Sequence, residues 1–162
     1  MTRMRLMNTE IDNLTMDETL DAIDSLIKED NCSYVVTPNV DHIVQLEKDE
    51  ELKRVYENAS LILTDGKPLI WISNWYKTPI KEKISGSDLF PRVCELAAKK
   101  GYTMYLLGAA EGVADKAAKN LMDKYKGLNI VGTYSPPFGF EKDKVELKKI
   151  ERQIQEVHPD IL

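Results

Sequence analysis

The stretch SLILTDGKPLIW, Ser60 to Trp71, decides how the chain is read. Leu61 to Leu63 form a short apolar run of the kind found in a strand buried on both faces. Asp65-Gly66 then breaks the run, and Pro68 falls where a helix tolerates proline, in its first turn. Strand, tight turn and helix make half of a βαβ unit. Asp65 itself poses a question, because a carboxylate at the edge of a core is costly unless it is solvated, hydrogen-bonded or put to chemical use.

The same alternation runs outward in both directions. RLMNTEI (5–11) is a short strand candidate, and Thr15 to Glu18 is a capping box opening a helix to about Lys28. CSYVVT (32–37) reads as a strand closed by Pro38. VDHIVQLEKDEELKRVYENA (40–59) reads as one helix with Ile43, Val44, Leu52, Val55 and Tyr56 as its apolar stripe. PLIWISNWY (68–76) is a helix apolar nearly all round, for which core packing of Trp71 and Trp75 is the first expectation and a subunit or lipid-facing surface the second. After a loop from Lys77 to Gly86, Ser87 or Asp88 is expected to cap a helix that Gly101 ends. A strand at 102–108, a helix at 112–127, a strand at 128–135, a charged helix at 142–157 and a strand stub at PDIL complete the chain. Strands alternating with helices predict an α/β, Rossmann-like fold, a mainly parallel sheet with helices on both faces.

The 162 residues, 43% hydrophobic and 30% charged, suit one soluble domain with a sizeable core. A formal net charge of −5 argues against a nucleic-acid partner. Cys32 and Cys94 form no C-x-x-C or disulfide framework, so they read as small buried hydrophobes in a reducing, cytoplasmic compartment. No stretch approaches the roughly 18 apolar residues of a membrane span, and the N-terminus carries no signal-like apolar region.

In open α/β sheets ligands bind at the carboxyl ends of the strands. Four such ends carry unusual residues: Thr37-Pro38-Asn39, Asp65-Gly66-Lys67, Gly108 to Gly112, and Ser135 to Gly139. Each also has a plain structural reading: Thr37 and Asn39 as turn and cap, Asp65 as a cap or turn residue, and the two glycines as a tight turn. His42 and His158 lack a nucleophilic partner and read as structural. The Gly108 loop is not G-x-G-x-x-G, which weakens a nicotinamide oxidoreductase reading and excludes a Walker A loop. No D-x-D or clustered metal-ligand set occurs, so no metal or cofactor is expected; a diphosphate would be met by helix N-termini and by lysines such as Lys67, Lys81 or Lys83.

TPNVDHIVQLEKDEELKRVYENASLILTDGKPLIW, ISGSDLFP and MYLLGAAEGVADKAAKNLMDKYKGLNIVG together resemble, in order and spacing, the WecG/TagA/CpsF glycosyltransferases. The resemblance implies an inverting enzyme, most like the branch that moves N-acetylmannosamine from UDP-ManNAc to undecaprenyl-diphosphate-linked GlcNAc in wall teichoic acid synthesis. It implies Asp65 as general base, with Thr37 and Asn39 in the acceptor pocket and Lys83, Asp88, Gly108 and Gly112 as further substrate-binding positions. Lys83 stands where the family usually has Arg, GAAEG departs from its G-G-x-P-G, and PPFGF from its Gly-Tyr-Phe. A lipid-linked acceptor implies work at the inner face of the bacterial membrane, with a homo-oligomer open. Relatives continue beyond PDIL into a basic and apolar tail, so residues 1–162 are expected to be a single core domain of low activity. Related UDP-sugar transferases, using ManNAcA or a hexose, and a non-catalytic nucleotide-binding module are the alternatives.

Overall fold

The computed structural model describes residues 3–29, 31–77 and 79–162; positions 1, 2, 30 and 78 lie outside it, the last within the expected 77–86 loop. The chain divides into two units, Met1–Pro91 and Arg92–Leu162. The architecture is α/β and Rossmann-like, as the alternation predicts.

In the first unit, the expected N-terminal strand is a hairpin, β1 (Met4–Leu6) and β2 (Thr9–Ile11), paired antiparallel. Met7 at its turn takes φ +54°, a left-handed conformation that favours glycine. The Thr15 capping box opens α1 (Met16–Lys28) as expected. β3 (Val35–Val36) and β4 (Leu61–Ile62) pair in parallel. Between them the predicted long helix is two helices, α2 (Val40–Gln45) and α3 (Glu50–Glu57). Asp49 is the reason: its Oδ1 accepts the N–H groups of Glu51 and Leu52, which starts a second helix there. The break turns Val44 and Val55 of the expected stripe outward, whereas Ile43 and Tyr56 are buried. They join Leu6, Ile11, Leu46, Ala59, Ile62, Leu69 and Ile80 in one apolar cluster.

β4 is hydrogen-bonded on both edges. Along one, Leu63 N–H donates to Val36 O (2.8 Å) and Asp65 N–H to Pro38 O (2.9 Å). A regular parallel ladder would return a bond from position 38 to the Leu63 carbonyl, but proline has no N–H. β3 is therefore shorter than the sequence suggests. Along the other edge, Asp12 N–H donates to Ile62 O (2.8 Å) and Ile84 N–H to Thr64 O (2.9 Å). Asp12 is 5% exposed. Its Oδ2 accepts Ile62 N–H at 2.9 Å and its Oδ1 lies 3.5 Å from Arg3 Nε. Arg3 also donates to the carbonyls of Ala59 and Ser60.

α4 (Lys67–Trp75) follows β4, with Leu69 and Ser73 buried. Trp71 and Trp75 do not pack in the core: they are 67% and 87% exposed. α5 (Gly86–Lys100) begins before Ser87 and Asp88, so neither caps it. Ser85 does, its Oγ accepting Asp88 N–H at 3.3 Å. Gly101, at φ +78°, ends this helix as expected. Cys94 is buried, which raises its thiol pKa, but Cys32 is exposed, against the expectation of two core thiols.

In the second unit, β5 (Thr103–Leu107) pairs in parallel with β6 (Asn129–Tyr134), with an irregularity at Met104/Tyr105. α6 (Val113–Lys124) connects them, and α7 (Lys144–Val157) leads to a parallel bridge between Ile161 and Met104. The expected terminal strand is thus present as a stub. β6 lies on one side of β5 and Ile161 on the other, and right-handed crossovers then put α6 and α7 on opposite faces. Gly132 is required by contact rather than conformation, since a Cβ there would come within 2.5 Å of the Tyr105 ring.

Removing the Asp12 carboxylate strands both the buried Ile62 N–H and part of Arg3. Asp12→Ala is expected to cost about 2–3 kcal/mol, read as a lowered urea midpoint at unchanged m-value.

Candidate active site

Asp65 sits where β4 leaves the core. Leu63 and Thr64 before it are buried and Asp65 itself is half-buried. Its backbone is fixed by the bond to Pro38 O. The residue that caps α4 is Gly66, at φ +107°, with no side-chain cap bond. One reading the sequence leaves open is removed: the Asp65 carboxylate is not spent on capping the next helix. Gly66 is there for its φ, since a Cβ would make only an ordinary 3.5 Å contact with Pro68.

The chain then returns beside this strand end. Ile84 N–H on Thr64 O brings Lys83, Ser85 and Gly86 to the same place. A Cβ on Gly86 would lie 3.8 Å from Thr37 Oγ1, so the β3 exit is there too. Ser85, 5% exposed, joins the charged side chains. Its Oγ donates to Asp88 Oδ2 (2.6 Å), lies 3.0 Å from Ser87 Oγ, and accepts from Lys83 Nζ (3.2 Å). Lys83 Nζ also bonds Asp88 Oδ2 directly. The ammonium beside it, followed by the Ser85 hydroxyl, holds the Asp88 carboxyl below the usual range. Asp88, and more weakly the charge of Asp65, raises the Lys83 pKa. Asp88 in the first turn of α5 also faces the positive end of the helix dipole.

The structure thus joins Lys83 and Asp88 through Ser85, which the sequence reading passed over, with Thr37 beside the adjoining Gly86 and the charge of Asp65 within reach of Lys83. The signal was present: Ser85-Gly-Ser-Asp88 has the spacing of an N-cap box ahead of an apolar run. Asn39, one residue beyond Pro38, uses its Oδ1 to accept His42 N–H (3.1 Å) and cap α2. Lys81 turns away to Glu18 at 2.8 Å. His42 closes the α2 capping box, and His158 is the left-handed C-cap of α7, so both histidines have structural roles.

In the second unit, Gly108 (φ +123°), Ala109 (φ +64°) and Gly112 (φ +75°) all take left-handed backbone. A Cβ on either glycine would meet nothing within 4 Å, so conformation alone demands them. Gly108 N–H donates to Tyr134 O (2.8 Å), and Ser135 Oγ donates to the carbonyls of Gly108 and Ala110 (both 3.2 Å). α6 starts after Gly112 with no side-chain cap; Val113 N–H is taken by Ala110 O (3.0 Å), so an anion would be met by the N–H groups that follow it in the first turn.

Among the described residues no group of three or more His, Cys, Asp or Glu side chains is placed to hold a metal ion. Among the described residues, likewise, no helix is long and apolar enough to cross a membrane.

The model of the "Glycosyl transferase WecG/TagA/CpsF family" matches residues 4–162. Over 115 residues the chain is 27% identical to an N-acetylglucosaminyldiphosphoundecaprenol N-acetyl-beta-D-mannosaminyltransferase of Bacillus spizizenii, covering 71% of this chain and 44% of the relative. The Bacillus subtilis protein of the same name is 27% identical over 71% of this chain and 43% of its own length. That of Staphylococcus aureus is 22% identical over 78% and 51%. The chain spans about half the length of these curated relatives.

The Lys83–Asp88 pair is testable by titration. Because the Asp88 pKa is lowered in the fold, the pair's stabilisation is complete above the unfolded-state aspartate value of about 3.9 and is lost as pH falls through the lower native one. Lys83→Met is expected to move the Asp88 carboxyl pKa up toward the ordinary value, followed by carboxyl carbon NMR shifts.

Proposed function

The chain belongs to the WecG/TagA/CpsF glycosyltransferase family, and from that premise we propose that it is part of an inverting, metal-independent transferase. On this reading it moves N-acetylmannosamine from UDP-ManNAc to undecaprenyl-diphosphate-linked GlcNAc, a step of wall teichoic acid linkage-unit synthesis at the cytoplasmic membrane face. The acceptor and the sugar moved are those in the relatives' names. The observation that carries the reading is Asp65: a carboxylate held by its backbone at a strand end, excluded from helix capping, with Lys83 and Thr37 beside it.

The reaction is a single in-line displacement. Asp65 takes the proton of an acceptor hydroxyl as that oxygen bonds to the anomeric carbon. The bond from that carbon to the diphosphate oxygen breaks on the opposite face, and UDP leaves with the electron pair. General-base assistance contributes roughly 10²- to 10⁴-fold. The remainder comes from orientation and from stabilising the charge on the leaving diphosphate. Lys83 is the cation assigned to that charge. As an ammonium it offers a point charge in place of arginine's bidentate fork, and Asp88 with Ser85 fixes its direction. Thr37 and Asn39 line the acceptor side, Asn39 through a cap that sets the course of the chain leaving β3. In the second unit, Gly108 and Gly112 are the proposed substrate-binding positions of a turn that, with the first turn of α6, suits a phosphate group.

The test is transfer from UDP-ManNAc to a lipid-diphosphate GlcNAc analogue. Asp65→Asn, with its fold verified by circular dichroism, is expected to lower the rate about 10²- to 10⁴-fold while leaving UDP binding in place; wild-type turnover by this variant would remove Asp65 as the base. Transfer is expected to persist in EDTA, and a loss that Mg²⁺ restores would contradict metal independence.

A further inference from the structure

We propose that the outer face of α4, together with the tip of the β1–β2 hairpin, is the surface by which this protein docks on an anionic lipid bilayer. The inference rests on the functional reading above in one respect, that the acceptor is carried by a membrane lipid.

The face is anomalous for a protein surface. Trp71, Trp75 and Tyr76 are 67%, 87% and 65% exposed, and Met7 is 42% exposed. Trp71 and Trp75 are one helical turn apart, on the side of α4 away from its buried Leu69 and Ser73. Met7 reaches the same place from a different segment: Met7, Ile72, Trp75 and Tyr76 line one groove of about 490 Å³. Met7 holds its position at φ +54°, where a side chain is strained, so the hairpin tip spends conformational energy to present an apolar group.

Charge selects the occupant. The protein is net −5, yet between Asp65 and Glu82 there is no acidic residue. Lys67 and Lys77, at the two ends of the aromatic helix, are exposed, while Lys81 is taken by Glu18. Amphipathic aromatic rings flanked by lysines match the water–lipid boundary, where Trp and Tyr collect and cations meet anionic headgroups. The core of a protein–protein interface, by contrast, is depleted in lysine. Position agrees as well. α4 begins two residues after Asp65 and is nine residues long, about 13 Å. Seating α4 in the headgroup layer therefore holds the reactive carboxylate close to the plane in which a lipid-linked diphosphate lies.

The experiment exploits a convenience of the sequence: Trp71 and Trp75 are its two tryptophans, so intrinsic fluorescence reports on this face alone. With vesicles containing phosphatidylglycerol, emission is expected to shift to the blue and the protein to co-sediment, both weakened by salt and by replacing the anionic lipid with phosphatidylcholine. Trp71→Ser with Trp75→Ser is expected to lower vesicle partitioning at least ten-fold at unchanged urea midpoint. Lys67→Gln with Lys77→Gln is expected to lower it on anionic vesicles by about five-fold per lysine and to leave neutral vesicles unaffected. Absence of vesicle binding, or undiminished binding by the tryptophan variant, overturns the proposal. A blue shift that grows with protein concentration without lipid, alongside a doubled mass in sedimentation, also overturns it and assigns the face to a second copy. Vesicle binding is read without turnover: binding without sugar transfer counts against the functional reading alone, and transfer to a short soluble acceptor without binding counts against the docking surface alone.

Discussion

Parallel pairing between β3 and β4, carried past both strands to the bond from Asp65 N–H to the Pro38 carbonyl, is the constraint on which the candidate site depends. Pro38 accepts that bond and can return none, so the ladder stops at this point and the two chains diverge. Thr37 and Asn39 leave on one side to start α2, and Gly66 leaves on the other to start α4. The carboxylate is left at the divergence, fixed through its backbone with its side chain uncommitted to a cap. A residue held this way keeps both its position and its chemistry.

The opposite edge of β4 explains how so short a strand is held. Asp12 donates its N–H to the Ile62 carbonyl and accepts the Ile62 N–H through a carboxylate oxygen, completing with a side chain what a longer neighbouring strand would do with backbone. Arg3 neutralises the buried charge and ties the chain entering β4 through Ala59 and Ser60. One bond further along, Ile84 joins the same edge, and this brings Lys83, Ser85 and Asp88 to Asp65. The site is therefore assembled by backbone bonding from segments about twenty to fifty residues apart. Its charges are organised by one buried hydroxyl, Ser85.

Local chemistry was legible wherever a few adjacent residues settle the outcome. The Thr15 capping box, the Pro68 helix start, the Gly101 stop and the β5–α6–β6 alternation stand where the sequence places them. Misreadings arose where two local signals compete or where a distant partner decides. Asp49 offered a second N-cap inside a continuous helical pattern, and the cap prevailed, turning Val44 and Val55 to solvent. Ser85 outcompeted Ser87 and Asp88 because α5 starts directly after the segment that Ile84 ties to the Thr64 carbonyl. Trp71 and Trp75 looked like core residues by hydropathy alone, but the other face of α4 is the one that packs, through Leu69 and Ser73.

By itself the sequence determined the fold class and the family, and it nominated a short set of positions for the chemistry. Periodicity, caps and breakers are properties of neighbouring residues, and the family's motifs are written in contiguous stretches. Tertiary structure decided that the Asp65 carboxylate does not cap α4, that Lys83 and Asp88 form one pair on Ser85, and which face of α4 is left exposed. Each of those outcomes depends on a hydrogen bond or a packing contact between residues far apart in the chain, where sequence spacing carries no information about distance.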